Sequence, residues 1–236
     1  MKPLEDILIV ILGFFYGYTH SWGWAIILLT VAVKIILFPL TAKQTKAALE
    51  MQKLQPKLKK LQEKYKHNKE KLQEEMMKFY RENKVNPLGG CLPLLLQLPI
   101  FFALFRMLID KDKMVVLGGK AVRLYDRLAE SSFLWIGRLG ELKIQLPIFG
   151  DRPLVAANLT EPDLILVGLM AISTYLSTKM MGTDSQQQKM MLPMTVFMVF
   201  IAMSLPAGVL IYWVTINLLT AAQQYFTLRA SKSAGG

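Results

Sequence analysis

The sequence predicts an all-α membrane protein: five transmembrane helices, an interfacial helix before them and a cytoplasmic helical hairpin between the first two. Three observations carry this. The apolar residues, 53% of 236, come in blocks rather than at the regular intervals of a soluble domain. Five blocks approach the roughly 20 residues that a helix needs to cross the hydrocarbon core. The basic residues behind the net charge of +11 are unevenly spread over the intervening loops, as the positive-inside bias requires.

The first span runs from Trp22 to about Leu40, with its boundary near residue 42. The second is Leu88–Ile109, the third Leu164 to about Met181, the fourth Met190–Leu205 and the fifth Val209 to about Leu228. A short link, 182–189, joins the third and fourth. Pro206-Ala207-Gly208 makes a tight turn between the last two. Residues 1–21 precede all of these. Their dense apolar run, Ile7–Tyr18, is too short to span and lacks the basic start and small-residue cleavage site of a signal peptide. It reads as an interfacial helix, with Trp22 and Trp24 anchoring the next helix at headgroup level. An ordinary core helix is the competing reading.

Orientation follows from the loops. Residues 43–84 carry 13 Lys/Arg against 6 Asp/Glu, a net of +7, whereas 106–163 carry 9 against 8, a net of +1. The 179–189 link and the 229–236 tail are net basic. The N-terminus and the 110–163 loop are therefore expected outside, and the 43–87 segment and C-terminus in the cytoplasm. Within 43–87, Leu54, Leu58, Leu61 and Tyr65 recur at helical spacing, and Leu72, Met76 and Phe79 recur after the polar break His67-Asn68-Lys69. That is an antiparallel helical hairpin. Its lysines suit ribosomal RNA or anionic headgroups, or simply form a solvated face. Asn86-Pro87 closes its second helix, and both helices are expected to meet the membrane through short linkers. The 110–163 loop mixes glycines and prolines with amphipathic fragments such as Leu124–Trp135, and the small polar end Ser231–Gly236 reads as disordered.

Several chemistries are excluded. One cysteine, Cys91, gives no intramolecular disulfide. His20 and His67 lack nearby metal-ligating partners. There is no Walker-type phosphate loop. No catalytic residue, metal or cofactor is expected.

Lys34 is the residue that requires explanation. It lies between Val33 and Ile35-Ile36-Leu37-Phe38 in the first span. A charged lysine near mid-membrane costs roughly 2.5–3.5 kcal/mol on insertion scales. None of the five spans contains an acidic residue to neutralise it. Either it snorkels to the cytoplasmic interface near Leu40, or it projects into a wet groove opening to that side. The groove is favoured because other spans also carry polar groups: Thr30 one turn before Lys34, Gln97 in the second span, Ser173 and Thr174 in the third, and Thr215, Asn217, Thr220, Gln223 and Gln224 in the fifth. The fourth span carries almost none, so the cavity is expected to be one-sided.

At this point the chain resembles the YidC/Oxa/Alb insertases. Three segments carry the likeness: Trp22-Gly23-Trp24 through Lys34-Ile35-Ile36-Leu37-Phe38-Pro39-Leu40-Thr41; Asn86-Pro87-Leu88-Gly89-Gly90-Cys91-Leu92-Pro93 with Gln97-Leu98-Pro99; and Leu205-Pro206-Ala207-Gly208 through Tyr212-Trp213, Asn217 and Gln223-Gln224. The resemblance implies five spans around a hydrophilic groove open to the cytoplasm and, sideways, to lipid, in a bacterial inner (plasma) membrane. It implies insertion of nascent membrane proteins rather than an enzymatic reaction, with no small-molecule substrate. It places Lys34, Thr30, Gln97, Trp213 and Asn217 on the groove, and Thr174 and Tyr212 on a substrate-exit face along the third and fifth spans. It brings in the ribosome and the Sec translocon as partners through the hairpin and tail. The family usually has arginine where this chain has Lys34, which keeps the charge but loses the planar fork of donors. Envelope-type members also carry a further N-terminal span and a large periplasmic domain, and this sequence corresponds to the core alone. Members from single-membrane bacteria often begin as lipoproteins, and no suitable N-terminal cysteine stands here. The rival readings are a small-solute or anion transporter using Lys34 as its anion site, and a pure docking scaffold. The transporter lacks the expected internal repeat and matching broken helices.

Cysteines placed singly at Lys60 and Arg138 are expected to react with an impermeant thiol reagent from opposite sides of the membrane. Both reporting from one side overturns the five-span arrangement.

Overall fold

Helix α1 (Lys2–Thr19) opens the chain in the computed structural model, which describes residues 2–83, 92–139, 142–143, 153–180 and 185–233. The helix stops because Thr19 turns its hydroxyl onto the Phe15 carbonyl (2.9 Å) and His20 takes a left-handed φ of 50°. The chain then reverses into α2 (Trp22–Lys64). Trp22 is buried, stacked on Tyr16 with ring centroids 4.0 Å apart, while Trp24 stays exposed. Only Trp24 therefore has the exposure of an interfacial anchor; Trp22 ties α1 to α2. Leu8, Ile9 and Leu12 bury one stripe of α1, and Ile7, Val10, Phe14 and Tyr18 line an exposed apolar stripe. A helix greasy on both sides is what one docked on a bundle and facing lipid requires.

The short linker expected between the first span and the hairpin is absent. Helix α2 continues through Pro39 and Pro56 for 43 residues, about 65 Å at 1.5 Å per residue. Pro56 lies deep inside it. Each proline removes one backbone hydrogen bond and favours a bend, but the flanking helix-forming residues carry the helix on. It ends at Lys64, and Asn68 caps α3 (Lys69–Glu82) by accepting from the Lys71 amide at 3.0 Å. The hairpin break thus falls where the polar run predicts it. Asn86-Pro87 and the start of the second span, Leu88–Cys91, lie outside the described residues.

After α4 (Leu92–Ile109), the connecting loop is not purely helical. It holds an antiparallel pair β1 (Met114–Leu117) and β2 (Lys120–Arg123), the short α5 (Leu124–Ala129) and a second pair β3 (Leu142–Lys143) and β4 (Pro153–Val155). The class is therefore mostly helical rather than strictly all-α. Gly118 and Gly119 supply the positive φ values, 54° and 80°, of the two-residue β1–β2 turn. Three helices follow: α6 (Leu164–Met180), α7 (Ser185–Ala202) and α8 (Ala207–Ser233). The turn between the last two comprises residues 203–206, so Ala207 and Gly208 start α8 rather than end the turn.

By length and hydropathy, one stretch among the described residues, Trp22–Ala47, is long and apolar enough to cross a membrane; Gln97–Ile109 and Leu164–Thr178 are shorter apolar helices. Helix α8 is long at 27 residues, but its threonines, asparagine and glutamines dilute its hydropathy.

Two polar clusters hold the loop end of the bundle. Glu5, 3% exposed, lies 3.4 Å from Lys113 Nζ and 3.5 Å from Arg106 Nε, and Asp6 lies 3.2 Å from Lys113 Nζ. Burial opposes the charge on Lys113, but its hydrogen bonds to Asp6 and Glu5 and their negative charges outweigh that and raise its pKa above the usual lysine value. The second cluster centres on Asp163, 0% exposed. Its carboxylate caps α6 through the Leu166 amide (2.8 Å) and accepts from the Ala156 amide (3.0 Å) and the Trp135 indole N–H (3.2 Å). Beside it, the Glu161 and Leu159 carbonyls accept from the Ala207 and Gly208 amides at 2.7 and 2.9 Å, so the loop satisfies the first donors of α8. Gly23 is pressed against Phe133, whose ring a Cβ would strike.

Asp163→Ala removes a helix cap and leaves buried donors unpaired, each costing about 1–3 kcal/mol. The expected loss is on the order of 3 kcal/mol in unfolding free energy, measured by denaturant titration in detergent micelles. A change too small to measure would mean the loop is not anchored there.

Candidate functional site

Helices α2, α6 and α8 run in one direction, and the contacts advance in step. Ile26 lies against Gly208, Lys34 reaches Thr220 and Thr41 reaches Gln223. On α8, residues 213, 217, 220 and 224 recur at spacings of four, three and four and so share a face. On α2 the stripe is 30, 34, 37, 41 and 44. The two helices meet along a seam where Lys34 and Thr41 of α2 reach Thr220 and Gln223 of α8.

At mid-seam, Lys34 is half-buried and its Nζ donates to Thr220 Oγ1 at 3.0 Å. The Thr220 hydroxyl in turn donates to the Ile216 carbonyl at 2.7 Å. No carboxylate among the described residues pairs with Lys34. Towards the hairpin, Gln223 Nε2 donates to Thr41 Oγ1 at 3.2 Å, and Gln44 and Gln224 are buried beside them. Both amide atoms of Gln44 and the Gln224 oxygen are buried without a hydrogen-bond partner. Unpaired buried amides cost free energy, so this stretch is held by packing despite its polar chemistry.

On its other flank α8 is zipped to α6. Asn217 Nδ2 donates to Thr174 Oγ1 (2.9 Å) and Ser173 Oγ (3.2 Å), and the Ser177 hydroxyl donates to the Asn217 carbonyl (3.1 Å). Towards the loop end, Trp213 packs edge-on against Phe101 of α4, centroids 5.1 Å apart.

The expected site residues are distributed along α8 rather than gathered at one point. Lys34 meets α8 through Thr220, Trp213 meets α4, and Asn217 meets α6 together with Thr174. Gln97 is half-buried, with its amide nitrogen buried and without a partner. Thr30 is 0% exposed and donates back to the Ile26 carbonyl at 2.7 Å, so it lies in the seam rather than on an open cavity wall. Tyr212 is 1% exposed, with its hydroxyl unpartnered, and stands in the core rather than on the expected exit face of the third and fifth spans. The surface there is Ile172, Tyr175 and Leu176 of α6, all exposed. Thr220, already among the polar groups of the fifth span, belongs to the seam, and Thr41 and Gln44 were the missed contributors. Their signal was the same three-and-four spacing, continued past the expected end of the first span.

A helical bundle with an apolar stretch long enough to cross a membrane, Trp22–Ala47, and a lysine set within it has the character of an integral membrane protein. The comparisons make this specific. The family described as 60Kd inner membrane protein matches residues 14–234, and the chain belongs to it: it is a member of the YidC/Oxa/Alb insertase family, which is not a family of enzymes. It is 43% identical over 231 residues to a membrane protein insertase YidC of Syntrophobacter fumaroxidans, covering 97% of this chain and 37% of that protein. With the YidC of Caldanaerobacter subterraneus it shares 36% identity over 226 residues, 96% of this chain and 94% of that one. A solved structure of an active YidC insertase with its first transmembrane domain resolved superposes with a TM-score of 0.66 at 27% identity, over 94% of this chain and 46% of that one. The chain thus spans little more than a third of some of its relatives and nearly the whole of others.

Asn217→Leu removes two interhelical hydrogen bonds. Such bonds average about 0.6 kcal/mol each in membrane proteins, because the unfolded chain also finds partners in the bilayer. The expected destabilisation is about 1 kcal/mol, read from unfolding in micelles. A loss several times larger would make the zipper the main stabiliser of the α6–α8 pair.

Proposed function

We propose that this chain inserts nascent membrane proteins into a bacterial inner membrane. It crosses the bilayer five times, N-terminus outside and C-terminus in the cytoplasm, around a groove open to the cytoplasm. The observation that carries the reading is Lys34: a cation half-buried among apolar residues, held by one hydroxyl and by no carboxylate among the described residues. A charge kept there at a cost of a few kcal/mol has a use. An acidic tail of a substrate supplies the missing counter-charge as it starts across.

The physical gain is a shorter path through low dielectric. Desolvating a polar tail dominates the barrier, and a polar seam reaching part-way into the membrane removes part of that distance. Gln97 and Trp213 line the approach, and Thr30 and Asn217 back it. The substrate's apolar helix then leaves over the exposed surface of α6, with Thr174 at its polar edge and Tyr212 behind it. Partition into lipid drives this step at about 25 cal/mol per Å² of apolar area. The lysine-rich hairpin at the far end of α2 is the docking point for the ribosome or the Sec translocon, aided by the basic tail. Helix α1 rests in the outer interface.

The test is an insertion assay with acidic and neutral translocated tails in wild type, Lys34→Ala and Lys34→Arg. The alanine variant is expected to lose insertion of acidic tails by about tenfold, the worth of one charge-assisted contact, and to affect neutral tails less. The arginine variant is expected to remain near wild type. Equal loss for both tails in the alanine variant rejects charge attraction.

A further inference from the structure

The contact between Lys34 and Thr220 is more specific than solvation of a charge demands. A lysine six residues from Leu40 has a stem long enough to snorkel towards the nearer interface. Here it does not. Its ammonium sits 3.0 Å from Thr220 Oγ1 on the neighbouring helix. That hydroxyl has only one hydrogen, which the Ile216 carbonyl takes at 2.7 Å. Thr220 is therefore left as a pure acceptor, with its lone pairs aimed outward and its χ1 fixed by its own helix. Beyond Thr220 the seam towards the hairpin carries Thr41, Gln44, Gln223 and Gln224, the three glutamines all buried. One of the three ammonium protons is thus engaged, leaving two for an incoming anion.

We infer that Thr220 is a positioning residue: it pins the Lys34 ammonium at mid-seam depth and so sets the insertase's preference for acidic over neutral translocated tails. This rests on the proposed function and adds the residue through which the charge is held in place. Unpinned, the lysine would relax towards the interface, and its attraction would act before the tail had entered hydrocarbon, where it is least needed.

The experiment compares Thr220→Val, which keeps the shape and removes the acceptor, with Thr220→Ser, which keeps the acceptor. Two readouts are taken on the full chain in proteoliposomes. The first is insertion of acidic and neutral tails. The second is modification of the Lys34 amine by an impermeant amine-reactive reagent, quantified by mass spectrometry. Thr220→Val is expected to reduce acidic-tail insertion about tenfold, the value of one hydrogen bond to a charged group, and to leave neutral tails nearly unchanged. It is expected to raise Lys34 modification, and Thr220→Ser to restore both readouts. In a Lys34→Ala background, Thr220→Val should cost nothing further. Lys34 modification unchanged by Thr220→Val overturns the pinning. So does failure of serine to rescue, or an additional loss in the Lys34→Ala background. If modification rises as expected while Lys34→Ala itself shows no preference between tails, the pinning stands and the electrostatic reading of insertion fails.

Discussion

A positive charge within an apolar helix must be solvated by something, and much of this bundle is arranged around how Lys34 is. Water and anions stabilise an ammonium well; hydrocarbon does not. With no acid among the described residues to pair with it, the chain places a threonine of α8 opposite. That requires α2 and α8 to lie parallel and in register over several turns. The register is set at the loop end, where Gly208 allows α8 to approach Ile26 and Leu108 closely: a Cβ there would lie 3.3 and 3.4 Å from their side chains. One small residue near the top of the seam thereby lets side chains meet three turns further down.

The polar contacts of α8 differ on its two flanks. Against α6, asparagine, serines and threonine form a closed set of hydrogen bonds. Against α2, beyond Lys34, buried glutamines leave amide atoms unpaired. A satisfied network rigidifies and a partly satisfied one is costly. The α6–α8 pair is thus the firmer side and the hairpin end of the α2–α8 seam the softer one. Separating α2 from α8 at that end therefore costs less than separating α6 from α8.

The continuity of α2 ties distant parts together. One helix carries the buried Trp22 contact with α1, the lysine of the seam and the basic arm that ends near Tyr65. Whatever grips the hairpin holds the far end of the helix that bears Lys34. Pro39 and Pro56 are the positions along it where a bend is favoured. The loop end is fixed differently, by buried carboxylates: Glu5 joins α1 to Lys113 and Arg106, and Asp163 joins the loop to α6.

Helix periods, turn residues and charge are local properties, and the sequence determines what depends on them. The N-terminal helix, the hairpin with its break at His67-Asn68, the family and the anomaly of Lys34 all follow from spacing, composition or motif. So does the sharing of a face by Thr30 and Lys34, or by Trp213 and Asn217. Spacing within one helix does not fix its rotation against another, because that depends on which side chains interdigitate over the whole interface. Only the tertiary structure therefore decides that Lys34 meets Thr220 rather than Asn217, that Asn217 serves α6, and that Tyr212 lies in the core while Ile172 and Tyr175 face out. It alone decides that α2 runs unbroken past Pro39, since packing overrides a local propensity to break. The short strands of the loop belong to the same class: their pairing is fixed by the residues they cover, and nothing in their few residues announces it.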